Sequence, residues 1–244
     1  MKLLNGATLR TLQFGSMVLA ASALVACGGG HDSGSSPGAT VNGTAAIGAA
    51  LANASVVLTC KNGNGSATAN ASGAYSAKFS FDGPCAITAS SGAIAIHSFA
   101  AGAGTFNVTP LTELLLSYLA GQLGTTVSGL LSGISSNASF QSALTNSAVI
   151  ANAQAAVVQL IQKTYGITLS SSSFLTVSFT PGSPGADADL ETLMAAGAIT
   201  SDGQPAPALA AAAVAAGAEA PISGGNTGAT GGTGGTGGAG TNSK

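Results

Sequence analysis

One segment of this chain predicts its class of structure better than any other: Ala74-Tyr75-Ser76-Ala77-Lys78-Phe79-Ser80-Phe81. Tyr75, Ala77, Phe79 and Phe81 occupy one set of alternate positions, and Ser76, Lys78 and Ser80 lie in the other set. Successive side chains of a β-strand point to opposite faces of the sheet. This period of two therefore predicts a strand with one buried face and one exposed face.

Further short apolar runs lie on both sides of this segment, separated by Gly, Asn and Ser clusters. The strong turn signal Asn62-Gly63-Asn64-Gly65 lies between two of these runs. Several strands at such spacing predict a small antiparallel β-sandwich over residues 40–108. The candidate strands are Thr40–Ala46, Ala54–Cys60, Ser66–Asn70, Ala74–Phe81, Cys85–Ser90, Ala93–Ala100 and Thr105–Val108.

Two segments of this region resemble a known family. Leu51-Ala52-Asn53-Ala54-Ser55-Val56-Val57-Leu58 looks like the second-strand segment of carboxypeptidase regulatory-like domains, and Asn70-Ala71-Ser72-Gly73-Ala74-Tyr75 is similar to their following turn and strand. The family often has Asp where this chain has Asn70 and Ser72. The resemblance implies a transthyretin-like sandwich over about residues 40–108. It implies no active site, because these domains are not themselves catalytic.

The pattern changes to helix at Thr109-Pro110-Leu111-Thr112-Glu113. Thr109 is suited to the N-cap, Pro110 to the first helical position, and Glu113 to the positive end of the helix dipole. An apolar stripe follows at helical spacing. It consists of Leu111, Leu114, Leu115, Tyr118 and Leu119.

More helices are predicted between residues 109 and 220, which makes the expected fold class α+β. One spans about Ser147–Thr164 and ends at Gly166. A short helix is expected within Thr125–Ser139, with Phe140–Leu144 leading into the next one. Asp187–Ala196 and the Ala-rich Ala206–Ala216 complete the set, while Phe174–Phe179 reads equally well as a short strand or an extended connection.

The N-terminal segment predicts export. Lys2 and Arg10 precede the apolar run Leu12–Ala23, which is shorter than a membrane-spanning helix. The run Leu24-Val25-Ala26-Cys27 resembles the lipobox of bacterial lipoproteins, which implies removal of residues 1–26 and lipidation of Cys27. Gly28 follows in place of Asp, which by family analogy favours the outer membrane of a Gram-negative envelope. An ordinary signal peptide or an uncleaved anchor is the alternative.

Gly- and Ser-rich residues 27–39 are expected to form a flexible tether, and Gly/Thr-rich residues 221–244 a disordered tail. A lipobox followed by a sandwich and the run Val108-Thr109-Pro110-Leu111-Thr112 resembles a group of uncharacterised proteobacterial surface lipoproteins. From Cys27 onward the chain keeps four basic and eight acidic residues, a side-chain charge of −4. Without a basic patch, nucleic acid is not an expected partner.

The three cysteines support this compartment. If Cys27 carries lipid, Cys60 and Cys85 remain as one pair, and an oxidising environment favours a disulfide between them. Two free thiols are the alternative. A metal site is less favoured, because no Cys or His lies nearby at ligand spacing.

Residues with catalytic chemistry are sparse. His97 is the one histidine in the predicted folded region, and a Ser-His-acid triad would need an acid such as Asp82. Asp187, Asp189 and Glu191 lack the spacing of an EF-hand calcium loop and are better explained by a helix N-terminus. We therefore predict no catalytic residue, no cofactor and no metal.

The expected function is a non-enzymatic envelope lipoprotein that presents an interaction or structural surface to an envelope protein or glycan. A small-ligand or polysaccharide-binding lipoprotein, with its site between sandwich and helices, is the alternative. A hydrolase, or an accessory module of one, is the second alternative. It requires His97 beside an acid and a Ser in a cleft.

Overall fold

The computed structural model describes residues 38–222. The predictions for the leader, for Cys27, for the tether up to residue 37 and for the tail from residue 223 lie outside the described residues. Within the described part the fold is α+β, with two sheets followed by helices.

Seven strands lie in the first half of the described chain: β1 (Ala39–Thr44), β2 (Ser55–Thr59), β3 (Asn64–Thr68), β4 (Ala74–Phe79), β5 (Cys85–Ser91), β6 (Ile94–Ala100) and β7 (Gly104–Thr105). One sheet has the order β4-β1-β7 and the other β3-β2-β5-β6. All pairings are antiparallel except that of β1 with β7, which is parallel. Each predicted strand is present, with its ends moved by a few residues.

The alternation that predicted β4 is confirmed. Tyr75 and Ala77 are buried, and Ser76 and Lys78 are exposed. The strand ends at Phe79, earlier than predicted, and the Phe81 ring packs against the Phe79 ring with centroids 5.9 Å apart.

The predicted turn at residues 62–65 is shorter than expected, because β3 already begins at Asn64. Its closing hydrogen bond runs from the Cys60 amide to the Gly63 carbonyl, at 3.0 Å. Gly65 is a strand residue instead of a turn residue: a Cβ there would overlap the Phe79 ring.

Six helices follow: α1 (Pro110–Gln122), α2 (Val127–Gly133), α3 (Ala138–Thr145), α4 (Ser147–Tyr165), α5 (Ala186–Ala195) and α6 (Pro207–Ala218). As predicted, α4 ends at Gly166, whose φ of 71° is left-handed. The short helix expected within residues 125–139 is confirmed as α2. Residues 140–144, expected to lead into the next helix, instead belong to a helix of their own. Asn137 accepts hydrogen bonds from Ser139 N and Phe140 N and so starts a separate helix, α3. Residues 174–179 form a turn and an irregular connection.

The helices and both sheets share one continuous core. Val41 and Tyr75 of the first sheet, Ile87 of the second and Leu115 of α1 belong to the same buried cluster. Helix α1 contains the predicted stripe, but every residue from Pro110 to Gly121 is buried, so the helix is enclosed on all sides. It lies against β6 on one side and against α6 and α4 on others.

Among the described helices, none alone has the length and apolar character to span a membrane. Two bent pairs meet that requirement jointly, α1 with α2 and α3 with α4.

Candidate functional site

His97 and Glu113 form the main polar cluster in the described chain. The Glu113 carboxylate oxygen Oε1 lies 2.7 Å from His97 Nδ1 and accepts the His97 backbone N–H at 2.6 Å. Glu113 is buried in the first turn of α1, while 30% of the His97 side chain is exposed. The acid partner of His97 is therefore Glu113 and not Asp82, which instead accepts a hydrogen bond from Asn62 Nδ2.

The electrostatics of this pair favour the charged imidazole. The hydrogen bond to Glu113 raises the pKa of His97, and its partial burial opposes that effect. The carboxylate also fixes the ring orientation by occupying Nδ1.

An imidazole held at Nδ1 by a carboxylate is two-thirds of a hydrolytic triad, which also needs a hydroxyl at Nε2. Within residues 38–222, the His97 imidazole has no hydrogen bond to a Ser or Thr hydroxyl; its one ring contact is with Glu113. Thr88 lies opposite His97 on β5, but its hydroxyl makes no hydrogen bond within the described residues. Ser98 is adjacent in sequence, yet side chains alternate along a strand, so it faces the other side of the sheet.

The same contacts close the open edge of β6. The Thr112 hydroxyl lies 2.8 Å from the His97 carbonyl, so α1 binds both backbone groups of His97 that face away from β5. Two residues earlier on β6, Gln204 Nε2 donates to the Ala95 carbonyl at 2.9 Å. Side chains from the helical region thus take the place of a neighbouring strand.

Thr109 is the N-cap residue of α1, as predicted, and Thr112 makes the reciprocal bond of a capping box to its backbone. Thr109 is the N-cap by position, but its hydroxyl is buried without a partner in the described chain, whereas Thr112 Oγ1 accepts the Thr109 N–H at 3.0 Å. Pro110 occupies the first turn as predicted. The sequence signal for Thr112 is its position three residues after the N-cap, where a capping box usually has Glu or Gln.

Asn107 is a buried polar residue that joins the sheets to the irregular connection. Its Oδ1 accepts Thr44 N at 3.2 Å, and its Nδ2 donates to the carbonyls of Phe174 and Val177 at 3.1 and 2.7 Å. Its backbone N–H donates to Leu175 O at 2.7 Å. Sequence reasoning missed this residue, because its partners lie more than 60 positions away in the chain.

The acidic residues of α5 are used locally. Asp187 Oδ2 accepts Gly182 N at 2.7 Å, and Asp189 Oδ2 accepts both the amide and the hydroxyl of Ser170. Both acids lie in the first turn of the helix, as predicted. In the described part of the chain, no three His, Cys, Asp or Glu side chains come together as a metal site would require.

A cavity of about 210 Å³ lies where α3 meets α4, and we call it the α4 cavity. Phe106 from the connection after β7, Ile150 and Gln154 of α4, and Leu175 form much of its wall. His97 and Glu113 are not part of it, so the imidazole and the cavity are separate features.

The predicted disulfide is present. Cys60 follows the last residue of β2, and Cys85 opens the adjacent strand β5, with their Cα atoms 4.2 Å apart. The bridge therefore links neighbouring strands of the four-stranded sheet.

Searches against models of known protein families, curated proteins and solved structures return no match to this chain.

Proposed function

We propose that this chain is an envelope lipoprotein, anchored through Cys27 and acting as a non-enzymatic interaction or structural module. The leader and the run Leu24–Cys27 support the anchor. On this proposal the chain is exported and lipid-anchored to the outer membrane, and its β-rich half is a transthyretin-like sandwich of the carboxypeptidase regulatory-like type.

Local geometry in the two resembling segments supports the sandwich assignment. Asn70 Oδ1 accepts the amides of Ser72 and Ala74, and Gly73 has a φ of 75°, so the segment turns tightly into β4. Asn53 has a φ of 58° and directs the chain into β2. Asn and Gly are the residue types that adopt such backbone conformations most readily.

The role of Glu113 is the observation that carries the non-enzymatic interpretation. Its carboxylate binds the His97 backbone as well as the imidazole, and together with Thr112 it closes the edge of β6. The contacts of Glu113 and Thr112 with His97 hold α1 against the sheet, which is a structural role. On this proposal His97 links β6 to α1 and does not act as a general base.

The exposed outer face of β2 and β3 is the proposed interaction surface. Ser55, Val57 and Thr59 of β2 point outward and are exposed, with Val57 at 43%, and Ser66 and Thr68 continue the face on β3. The face carries hydroxyl groups and no charge, which suits a neutral partner such as a glycan or an uncharged protein surface.

Lipidation is tested first, by palmitate labelling and membrane fractionation in a bacterial host. Cys27→Ala is expected to abolish the label and release the protein from the membrane fraction. The double variant Cys60→Ala/Cys85→Ala is the matched control and should keep both the palmitate label and its place in the membrane fraction. Label that persists in Cys27→Ala would contradict the anchor.

The interaction surface is tested by photo-crosslinking in intact cells. A photoreactive residue at Val57 is expected to capture a defined envelope component only in the lipidated chain, and the same residue at the exposed Ala215 of α6 should not. Hydrolysis of a defined substrate that disappears in His97→Ala, with the fold intact, would overturn the non-enzymatic proposal.

A further inference from the structure

The α4 cavity has a wall that is fixed before any molecule enters it. The connection at residues 174–177 is held by Asn107, whose amide nitrogen Nδ2 binds the Phe174 and Val177 carbonyls. Gln154 Oε1 accepts the Leu175 N–H of the same connection at 3.0 Å, so two side chains from different parts of the chain hold it. Because both side chains hydrogen-bond the connection, the cavity is preformed, as small-molecule sites usually are.

Gln154 is the polar group of interest in this wall. It is 7% exposed, and the Leu175 N–H fixes the orientation of its amide, since only the oxygen can accept that bond. The two N–H donors of Nε2 take no part in that bond. Nε2 donates to no protein acceptor within residues 38–222, although Gln154 lines the cavity. Nε2 is not one of the fully buried atoms without a partner, so it keeps contact with solvent, and a ligand acceptor can replace the water there.

The rest of the lining defines the ligand class. Apolar side chains such as Phe106, Leu144, Ile150 and Leu175 dominate it, and the remaining polar groups are neutral. The cavity is open to solvent at Thr145, Ser147 and Ala151, but a charged ligand seated against the apolar wall would lose part of its hydration without a countercharge. The volume of about 210 Å³ is below that of drug-sized sites, yet exceeds the roughly 150 Å³ that suffices to bind benzene.

We propose that the α4 cavity is a binding site for a small uncharged molecule, about one six-membered ring in size, that carries a hydrogen-bond acceptor. The apolar wall holds the ring, and Gln154 Nε2 donates to the acceptor. This inference does not rest on the lipoprotein proposal, and either can fail without the other.

The test is an NMR titration of the full chain carrying Cys27→Ala, so that no detergent competes for the probe. Acetophenone is the probe, isopropylbenzene is its match in shape without an acceptor, and benzoate is the charged comparison. Acetophenone is expected to shift resonances around the cavity saturably, with a dissociation constant on the order of 1 mM. Absence of saturable shifts, or benzoate binding as tightly, would overturn the proposal.

Two variants on α4 locate the site. Ala151 lines the cavity and is itself exposed, so Ala151→Leu fills the space without disturbing the core. It should weaken acetophenone binding at least about tenfold, given the loss of the apolar contacts. Ala155→Leu, at an exposed position of the same helix outside the cavity, should bind within about twofold of the parent. Equal effects of the two variants would rule out this cavity.

Gln154→Met tests the donor, with the NMR spectrum as the check on folding. The preference for acetophenone over isopropylbenzene should fall by about 2- to 10-fold, which is the contribution of one hydrogen bond. An unchanged preference would refute the role assigned to Gln154. If this variant does not fold, the comparison of Ala151→Leu with Ala155→Leu still decides whether the cavity binds.

Discussion

Glu113 is a buried carboxylate whose hydrogen bonds in the described chain go to His97. Glu113→Gln keeps an oxygen for the His97 amide but removes the negative charge. We expect the pKa of His97, raised in the folded protein, to fall toward the ordinary value near 6.5. A proton NMR titration measures this directly, and a His31→Ala variant distinguishes the two histidines of the chain.

The sign of the pH effect on stability follows from the direction of that shift. When a histidine has a higher pKa in the folded than in the unfolded protein, it contributes its full stabilisation at pH values below the unfolded-state pKa. That contribution is lost as the pH rises through the folded-state pKa. The advantage of the parent over Glu113→Gln in urea unfolding should therefore be larger at pH 5.5 than at pH 8.5. The exposed Glu191→Gln on α5 is the control. A pH-independent advantage would contradict the charge-assisted pair.

Asn107→Ala should be among the most destabilising polar substitutions in the chain. It leaves two buried backbone groups, Thr44 N and the Phe174 carbonyl, and the half-buried Val177 carbonyl without a partner. An unsatisfied buried group costs about 1–3 kcal/mol, so a loss of at least about 2 kcal/mol is expected by urea denaturation. Asn152→Ala, on the exposed face of α4, should change the free energy of unfolding by less than about 0.5 kcal/mol.

These side chains show what the sequence could not predict. The helix start at Thr109-Pro110 was readable because capping and Pro placement are local. The pairing of Glu113 with His97 depends on where α1 docks along β6, and the partners of Asn107 depend on a connection over 60 residues away. No local pattern encodes either contact.

Helix α6 was predicted from alanine content alone. Its close packing against α1 explains why its residues are small. Gly217 of α6 faces the Tyr118 carbonyl of α1, and Gly121 of α1 faces the Val214 carbonyl of α6. A Cβ at either position would overlap the facing carbonyl. The two helices thus approach at backbone distance, which only glycine permits.

Gly217→Ala distinguishes packing from helix propensity, because the two effects have opposite signs. Propensity alone would stabilise α6 by about 1 kcal/mol, whereas the overlap with Tyr118 should destabilise the protein by about 1–3 kcal/mol. Thermal and urea unfolding measure the sign. Ala215→Gly, at an exposed position of the same helix, calibrates the propensity effect. A stabilised Gly217→Ala protein would refute the close approach.

For the elements in general, alternation at β4 and short apolar runs between turn signals located the described strands, while the boundaries depended on tertiary contacts. β3 begins within the predicted turn because Gly65 lies under the Phe79 ring. Residues 140–144 lie in α3 instead of leading directly into α4, because Asn137 caps the start of a separate helix there. Each of these boundaries depends on one residue. From the sequence alone, Gly65 suits a turn as well as a strand, and Asn137 suits the interior of a helix or loop as well as a helix cap.

The disulfide acts on the stability of the whole molecule. It closes a loop with a sequence separation of 25, and the chain-entropy model gives roughly 3–4 kcal/mol for such a loop. Cys60→Ala/Cys85→Ala should lose about that amount in urea denaturation. Added reductant should lower the midpoint of the parent and leave the double variant unchanged. A parent midpoint that does not respond to reduction would contradict a stabilising bridge.

The contact between α1 and α6 also sets an order of events during synthesis. Helix α1 is enclosed on all sides in the finished structure, yet part of its cover comes from the last helix described. A chain that emerges N-terminus first, from a ribosome or through a translocation channel, therefore presents the leucines of α1 to its surroundings until about one hundred further residues have followed. Chaperones have their longest opportunity to bind during that interval.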